Sequence, residues 1–227
     1  MHSSEPSFRR PSFVALDFEA ANGHHASVCA IGVVRVTDGV LGDPRHWFVR
    51  PCPPYDFLGA INQELTGIEA KDLLRARGFD HWGPHLARNI GTSIVVGHNV
   101  KSADLSMFEQ SWFGAGLNGP FPTYRYVDTQ DVGRAVVPGL DRYRLDSLFE
   151  ATFGHPMPGD HHRADDDAVA SALLLLALLD RSGTNLEDWV RVRRGADHRD
   201  LHTPKRSGRI VELSIAERAT NWDRAVG

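Results

Sequence analysis

The chain has 227 residues, 41% of them hydrophobic and 24% charged, enough for one sizeable core with a small appendage. A net charge of −4 excludes a bulk field that attracts polyanions, so a nucleic-acid partner needs a local basic patch or metal ions. The two cysteines, Cys29 and Cys52, lie in no Cys-x-x-Cys pair, which argues against a disulfide framework and a zinc site. The start "MHSSEPSFRRPSF" lacks the apolar centre of a secretory signal. The longest apolar run, Ala168 to Leu179, falls short of the roughly 20 residues that span a bilayer. A cytoplasmic protein without a membrane partner is expected.

"SFVALDFEA" (12–20) reads as a buried strand carrying two acids, and "SVCAIGVVRVTDG" (27–39) as a second strand closed by an Asp-Gly turn. "RHWFVRP" (45–51) is its expected antiparallel partner. A Pro-rich loop then leads into helical pattern from about Glu69 to Ile90. "SIVVGHN" (93–99) is a short buried strand feeding a helix from about Ala103 to Phe113, with Leu105, Phe108 and Trp112 at core spacing. "YRYVDT" (124–129) is a further strand, and helices are predicted near 145–153 and 164–180. Hairpins followed by alternating strands and helices predict an α/β fold, a mixed sheet with helices on its faces. After Arg181 the chain turns basic, with seven Lys/Arg against two Asp between Arg191 and Arg209. That segment is expected to be a solvated tail or a nucleic-acid contact.

Asp17 and Glu19 are two apart on a strand, so both side chains leave the same face. Val14, Leu16 and Phe18 cover the other face, which marks the strand as central in its sheet. Two carboxylates there are costly to ionise unless a cation joins them or the strand end is solvated. Asp104 opens a helix after a buried strand, where a dipole-favoured acid is also ordinary. "GDHHRADDDAVASALLLL" (159–176) crowds His161, His162, Asp165, Asp166 and Asp167 at the mouth of a helix buried nearly all round. Three acids exceed what capping needs, and periodicity does not choose among them.

Taken together, "FVALDFEAANG", "VVGHNVKSADLSMF" and "HHRADDDAVASA" resemble the three motifs of the DEDDh (DnaQ-like) 3′–5′ exonucleases, a family that includes the epsilon proofreading subunit of bacterial DNA polymerase III. The likeness runs from about Phe13 to Leu179. It implies a ribonuclease-H-like fold with helices on both faces of the sheet. By the family's spacing, a histidine five positions before the last acid, it selects His162 and Asp167 over His161, Asp165 and Asp166. The chain departs from the pattern in having Ala20 where the family commonly has threonine. It also has four residues, Val100 to Ala103, between Asn99 and Asp104 where three are usual.

The resemblance implies that Asp17, Glu19, Asp104 and Asp167 hold two divalent ions, Mg²⁺ or Mn²⁺ by the hardness of oxygen ligands. Asp17 would bridge them, Glu19 and Asp167 would complete one site and Asp104 the other. His162 would be the general base, its ordinary pKa near 6.5 suiting the role. The expected partners are single-stranded nucleic-acid 3′ ends, DNA or RNA, and a DNA polymerase. The expected product is a nucleoside 5′-monophosphate. The expected division is an N-terminal extension (1–11), an exonuclease domain (12–182) and a basic tail or appendage (183–227). A catalytically weak binding module and a hydrolase of another phosphodiester are the competing readings.

Overall fold

A computed structural model describes residues 9–159 and 162–213. The chain opens with β1 (Phe13–Ala20), β2 (Val28–Thr37), β3 (Val40–Leu41), β4 (Arg45–Phe48) and β5 (Phe57–Gly59). Three helices follow, α1 (Ala60–Thr66), α2 (Ala70–Arg75) and α3 (Phe79–Ile90). Then come β6 (Val95–Gly97), α4 (Asp104–Gly114), β7 (Tyr124–Asp128), α5 (Thr129–Val136), α6 (Leu145–Phe153) and α7 (Ala164–Ser182). A 3₁₀ turn at Leu186–Trp189, β8 (Arg191–Arg193) and β9 (Ile210–Glu212) complete the described chain.

Among the described residues the main sheet runs β3-β2-β1-β6-β7-β8, with β4 also on β2. β1 pairs antiparallel with β2 and parallel with β6, and β8 closes the far edge antiparallel to β7. The sheet is therefore mixed, as the alternation of hairpins and strand–helix units predicts. Its centre is β1, whose alternating side chains feed two cores. Phe13 and Ala15 pack with α5, α6 and α7, through Val132, Leu148, Leu174 and Leu178. Val14, Leu16 and Phe18 pack with α3 and α4, through Leu86, Leu105 and Phe108. The second core is aromatic: the Phe108 ring meets Phe18 edge-on at 5.8 Å and lies against Tyr124 at 5.8 Å. Phe18, Phe108 and Trp112 are thus packing residues.

The helical pattern expected over Glu69–Ile90 divides in two. Ala76 is extended after α2, and Gly78 caps α3. α1 is seven residues long and buries none of them, so its two apolar residues, Ile61 and Leu65, are too few to announce a helix. The chain beyond Arg181 adds β8 to the main sheet and pairs β9 with β5. Arg193 and Arg199 both ion-pair with the buried carboxylate of Glu109 on α4. Residues 1–8 and 214–227, the ends of the extension and the tail, and His161 lie outside the described residues. No helix among the described residues is long and apolar enough to cross a membrane.

Candidate active site

Asp17 and Glu19 leave the C-terminal half of β1 on the α7 face. Across the ladder Asp17 faces Gly32 and Glu19 faces Ala30 of β2. Gly32 is what lets α7 reach them. A Cβ at this position would lie 2.0 Å from the carbonyl carbon and oxygen of Ala164, so only a bare backbone admits the first turn of α7. A lone glycine inside an apolar strand was the available sequence signal for this contact.

That first turn carries the acid cluster, and the three aspartates separate by environment. Asp165 pairs with Arg163 at 2.8 Å, which holds its carboxyl below the usual range against the opposing effect of burial. Asp166 packs under Gly159, which is held at φ +87°. Asp167 is buried, and its carboxylate, that of Glu19 and a ring nitrogen of His162 lie within 4.8 Å of one another. His162 takes a left-handed backbone conformation (φ +65°), where histidine is among the few non-glycine residues enriched.

Asp104 arrives from the other side of β1. Val100–Ala103 form a turn after Asn99, itself at φ +58°, and Leu105 N–H donates to Val100 O at 2.8 Å. Asp104 then starts α4 with its carboxylate buried against β1: Oδ1 accepts from Phe18 N–H at 3.0 Å. Asp128, which the motifs did not mark, ends β7 beside it. Its Oδ1 accepts from Asn99 N–H (2.8 Å) and Gln130 N–H (3.0 Å), fixing the turn that leads to Asp104. An acid ending the apolar strand "YRYVD" was its sequence signal. His98 ties the same region together, with Nδ1 2.9 Å from Thr129 Oγ1 and Nε2 2.8 Å from Tyr143 O.

The carboxylates act on one another. Desolvation, then Asp104, Glu19 and Asp167, push the Asp17 carboxyl well up. Desolvation, then Asp167 and Asp104, raise Glu19 to about 8. Desolvation also raises Asp104 to about 8, against the lowering effect of the Phe18 N–H and with Asp128 and Asp167 adding. Such a set is not at rest as a group of anions. Asp104 Oδ2 is buried and has no hydrogen-bond partner among the described residues. An all-oxygen set with an orphaned carboxylate oxygen fits hard divalent cations. Beside it lies a groove of about 380 Å³, lined by Glu19, His46, Phe48, Thr66, Gly67, Ile68, His162 and Arg163.

Comparison with known proteins agrees with this architecture. The profile of the RNase_T exonuclease family matches residues 14–175. DNA polymerase III PolC-type of Thermotoga petrophila is 29% identical over 182 residues, 78% of this chain and 12% of that protein. The 3′-5′ exonuclease DinG of Bacillus subtilis is 25% identical over 173 residues, 74% of this chain and 18% of that protein. The chain thus spans less than a fifth of either relative's length. Among solved structures, exonuclease X in complex with 5′ overhanging duplex DNA superposes with a TM-score of 0.60 at 22% identity, covering 78% of this chain and 96% of that one. A 3′-exonuclease solved for 3′-end specific recognition of a histone mRNA stem-loop gives 0.62 at 16% identity, covering 92% and 93%. These likenesses carry the fold, and the profile carries the family: the chain belongs to the RNase_T exonucleases.

Proposed function

We propose that the chain is a 3′–5′ exonuclease that hydrolyses the terminal phosphodiester of a DNA or RNA strand with two divalent ions and a histidine base. The observation that supports this most directly is the placing of the Glu19 and Asp167 carboxylates and a ring nitrogen of His162 within 4.8 Å of one another, beside a groove lined by Glu19 and His162. Asp17 and Asp104 are near enough that the carboxyls push one another up. Asp17, Glu19, Asp104 and Asp167 would hold two Mg²⁺ or Mn²⁺ ions. When bound, the ions supply Lewis-acid chemistry, acidifying the attacking water and offsetting charge on the phosphate and the leaving 3′-oxygen. His162 accepts the water's proton at a ring nitrogen, which lies within 4.8 Å of carboxylate oxygens of Glu19 and Asp167. The groove seats the 3′-terminal nucleotide, with Ile68 and Phe48 offering apolar contact to its base and sugar. Cleavage there releases a nucleoside 5′-monophosphate. A polymerase partner and a proofreading role belong to the same proposal, because the PolC-type relative is by its name a DNA polymerase.

The test is degradation of a 5′-labelled single-stranded oligonucleotide, as DNA and as RNA, with Mg²⁺, Mn²⁺ or EDTA. A metal-dependent ladder shortening from the 3′ end supports the reading. Intact label in every metal condition, from folded protein, rejects it in favour of a binding module of the same fold.

A further inference from the structure

The ladder between β1 and β2 ends in an irregularity. Glu19 faces Ala30 and Ala20 faces Val28, which leaves Cys29 as an extra residue on β2. Such a bulge bends the strands locally and re-aims the side chains beside it. Asp17 sits in the regular part of the ladder, opposite Gly32, whereas Glu19 is the last residue before the register shifts. The Glu19 carboxylate is also the one that comes within 4.8 Å of the Asp167 carboxylate and the His162 ring. The chain just past the bulge is held from outside the ladder: Ala20 O accepts from Asn62 Nδ2 at 2.9 Å and Ala21 O from Gly59 N–H at 2.8 Å.

Two side chains tie down the loop that follows. Asn22 is 3% exposed and uses both ends of its amide. Nδ2 donates to Tyr55 O and Phe57 O, each at 2.9 Å, and Oδ1 accepts from His24 N–H at 3.1 Å. Burying a carboxamide is costly unless it is hydrogen-bonded, and three bonds from one amide fix the loop rather than merely fill space. The His24 ring stacks on Tyr55 with centroids 4.4 Å apart. Its Nδ1 accepts from Ala26 N–H at 3.1 Å, which requires the neutral ring. The stretch that Asn22 and His24 grip is itself held by the end of the described chain. Arg206 Nη2 donates to Pro54 O at 3.3 Å, Leu213 N–H to Asp56 O at 2.9 Å and the Tyr55 hydroxyl to His202 O at 3.4 Å. Contacts therefore run from 202–213, beyond the matched stretch 14–175, through 54–57 to Asn22 and His24, and so to the bulge beside Glu19.

We propose that Asn22 and His24 are positioning residues of the metal site. They fix the loop that sets the bulge, the bulge aims Glu19, and the affinity for divalent ions depends on that aim. Both act through Glu19 rather than on the ions themselves. The proposal rests on the two-ion reading of the carboxylates and adds to it the part of the chain that holds Glu19 in register.

The experiment is calorimetric titration of Mn²⁺ into the metal-free full chain. Thermal midpoints in EDTA and initial rates on a 5′-labelled oligonucleotide are taken in parallel. The proteins are wild type, Asn22→Ala, His24→Phe and Trp189→Phe. His24→Phe keeps an aromatic ring against Tyr55 and loses the acceptor for Ala26 N–H; it leaves Asn22 in place, so it decides the matter even where Asn22→Ala does not fold. Trp189→Phe is the control, deleting the bond from Trp189 Nε1 to Thr184 Oγ1 (2.8 Å) at the opposite end of α7 from Asp167. Groups that orient a metal ligand are worth about tenfold or more in affinity, so each loop variant should weaken the Mn²⁺ Kd by about tenfold. Rates at low Mn²⁺ should fall with it and return close to wild type when Mn²⁺ saturates, which loss of the base at His162 would not allow. Trp189→Phe should bind Mn²⁺ as wild type does, whatever its midpoint. A wild-type Kd in either folded loop variant removes that residue from the role, and in both it overturns the proposal. An equal loss in Trp189→Phe also overturns it, since general loosening would then be the cause. A wild type that takes up no Mn²⁺ rejects the two-ion reading itself, and the positioning role falls with it.

Discussion

At the scale of single residues, His162 is where removal separates chemistry from structure. Its ring is near Glu19 and Asp167, yet its backbone lies in a turn rather than in a packed element. His162→Ala should lower turnover by about 10²–10⁴-fold, the usual worth of a positioned base. The thermal midpoint and its upward shift on adding Mn²⁺ should persist. Turnover at the wild-type rate would remove His162 from the reaction. Asp165 illustrates the converse: its partner is Arg163, two residues back, so this acid of the same cluster is engaged in an ion pair. Spacing alone could not tell the three aspartates apart, because their difference lies in what surrounds each one: Arg163 beside Asp165, Gly159 against Asp166, Glu19 and His162 near Asp167.

At the scale of elements, the site depends on how closely α7 and β2 approach. Gly32→Ala puts a methyl into the Ala164 carbonyl, and the helix start must shift to make room. Such overpacking costs about 1–3 kcal/mol. An ångström of displacement of His162 and Asp167 should cost about 10²-fold in turnover. Denaturant unfolding and initial rates check the two halves of that expectation, and a variant as active as wild type would show that the contact does not position the site. The β8 edge depends on Glu109 in a similar way. Glu109→Ala would leave the half-buried Arg193 without its anion, at a cost of about 3–5 kcal/mol. A midpoint in urea unchanged from wild type would show that β8 is held by its ladder alone.

At the scale of the whole molecule, the cluster makes stability depend on pH and on metal together. Unfolded, Glu19 and Asp104 titrate near their ordinary values of 4.5 and 3.8, whereas folded they keep protons to about 8. The folded state therefore binds more protons than the unfolded state up to about pH 8, and stability falls as pH rises through that window. His24, His25, His46 and His98, held below their ordinary 6.5, work the other way under acid. The clean interval is therefore pH 6.5 to 8. Across it the thermal midpoint in EDTA should fall, and the gain from added Mn²⁺ should grow as the carboxylates ionise. A midpoint in EDTA that rises over that interval would contradict the raised carboxyls.

The sequence by itself determined the central strand, because β1 is apolar on both faces and only a strand covered on both sides tolerates that. It also determined the family, since three short motifs keep their order and separation whatever happens between them. The buried helices at 104–114 and 164–182 were legible for the same reason, through side chains that must leave water. What only the tertiary structure decided lies where contacts are made at long range. α1 and α5 are short, and neither has an extended apolar stripe to announce it. Asp128 and Gly32 matter because of what packs against them from distant segments. The basic run after Arg181 divides into clamps and exposed cations only once Glu109, Asp131 and Glu212 stand beside it. Periodicity records how a residue relates to its own element, and pairing between elements is a property of the fold.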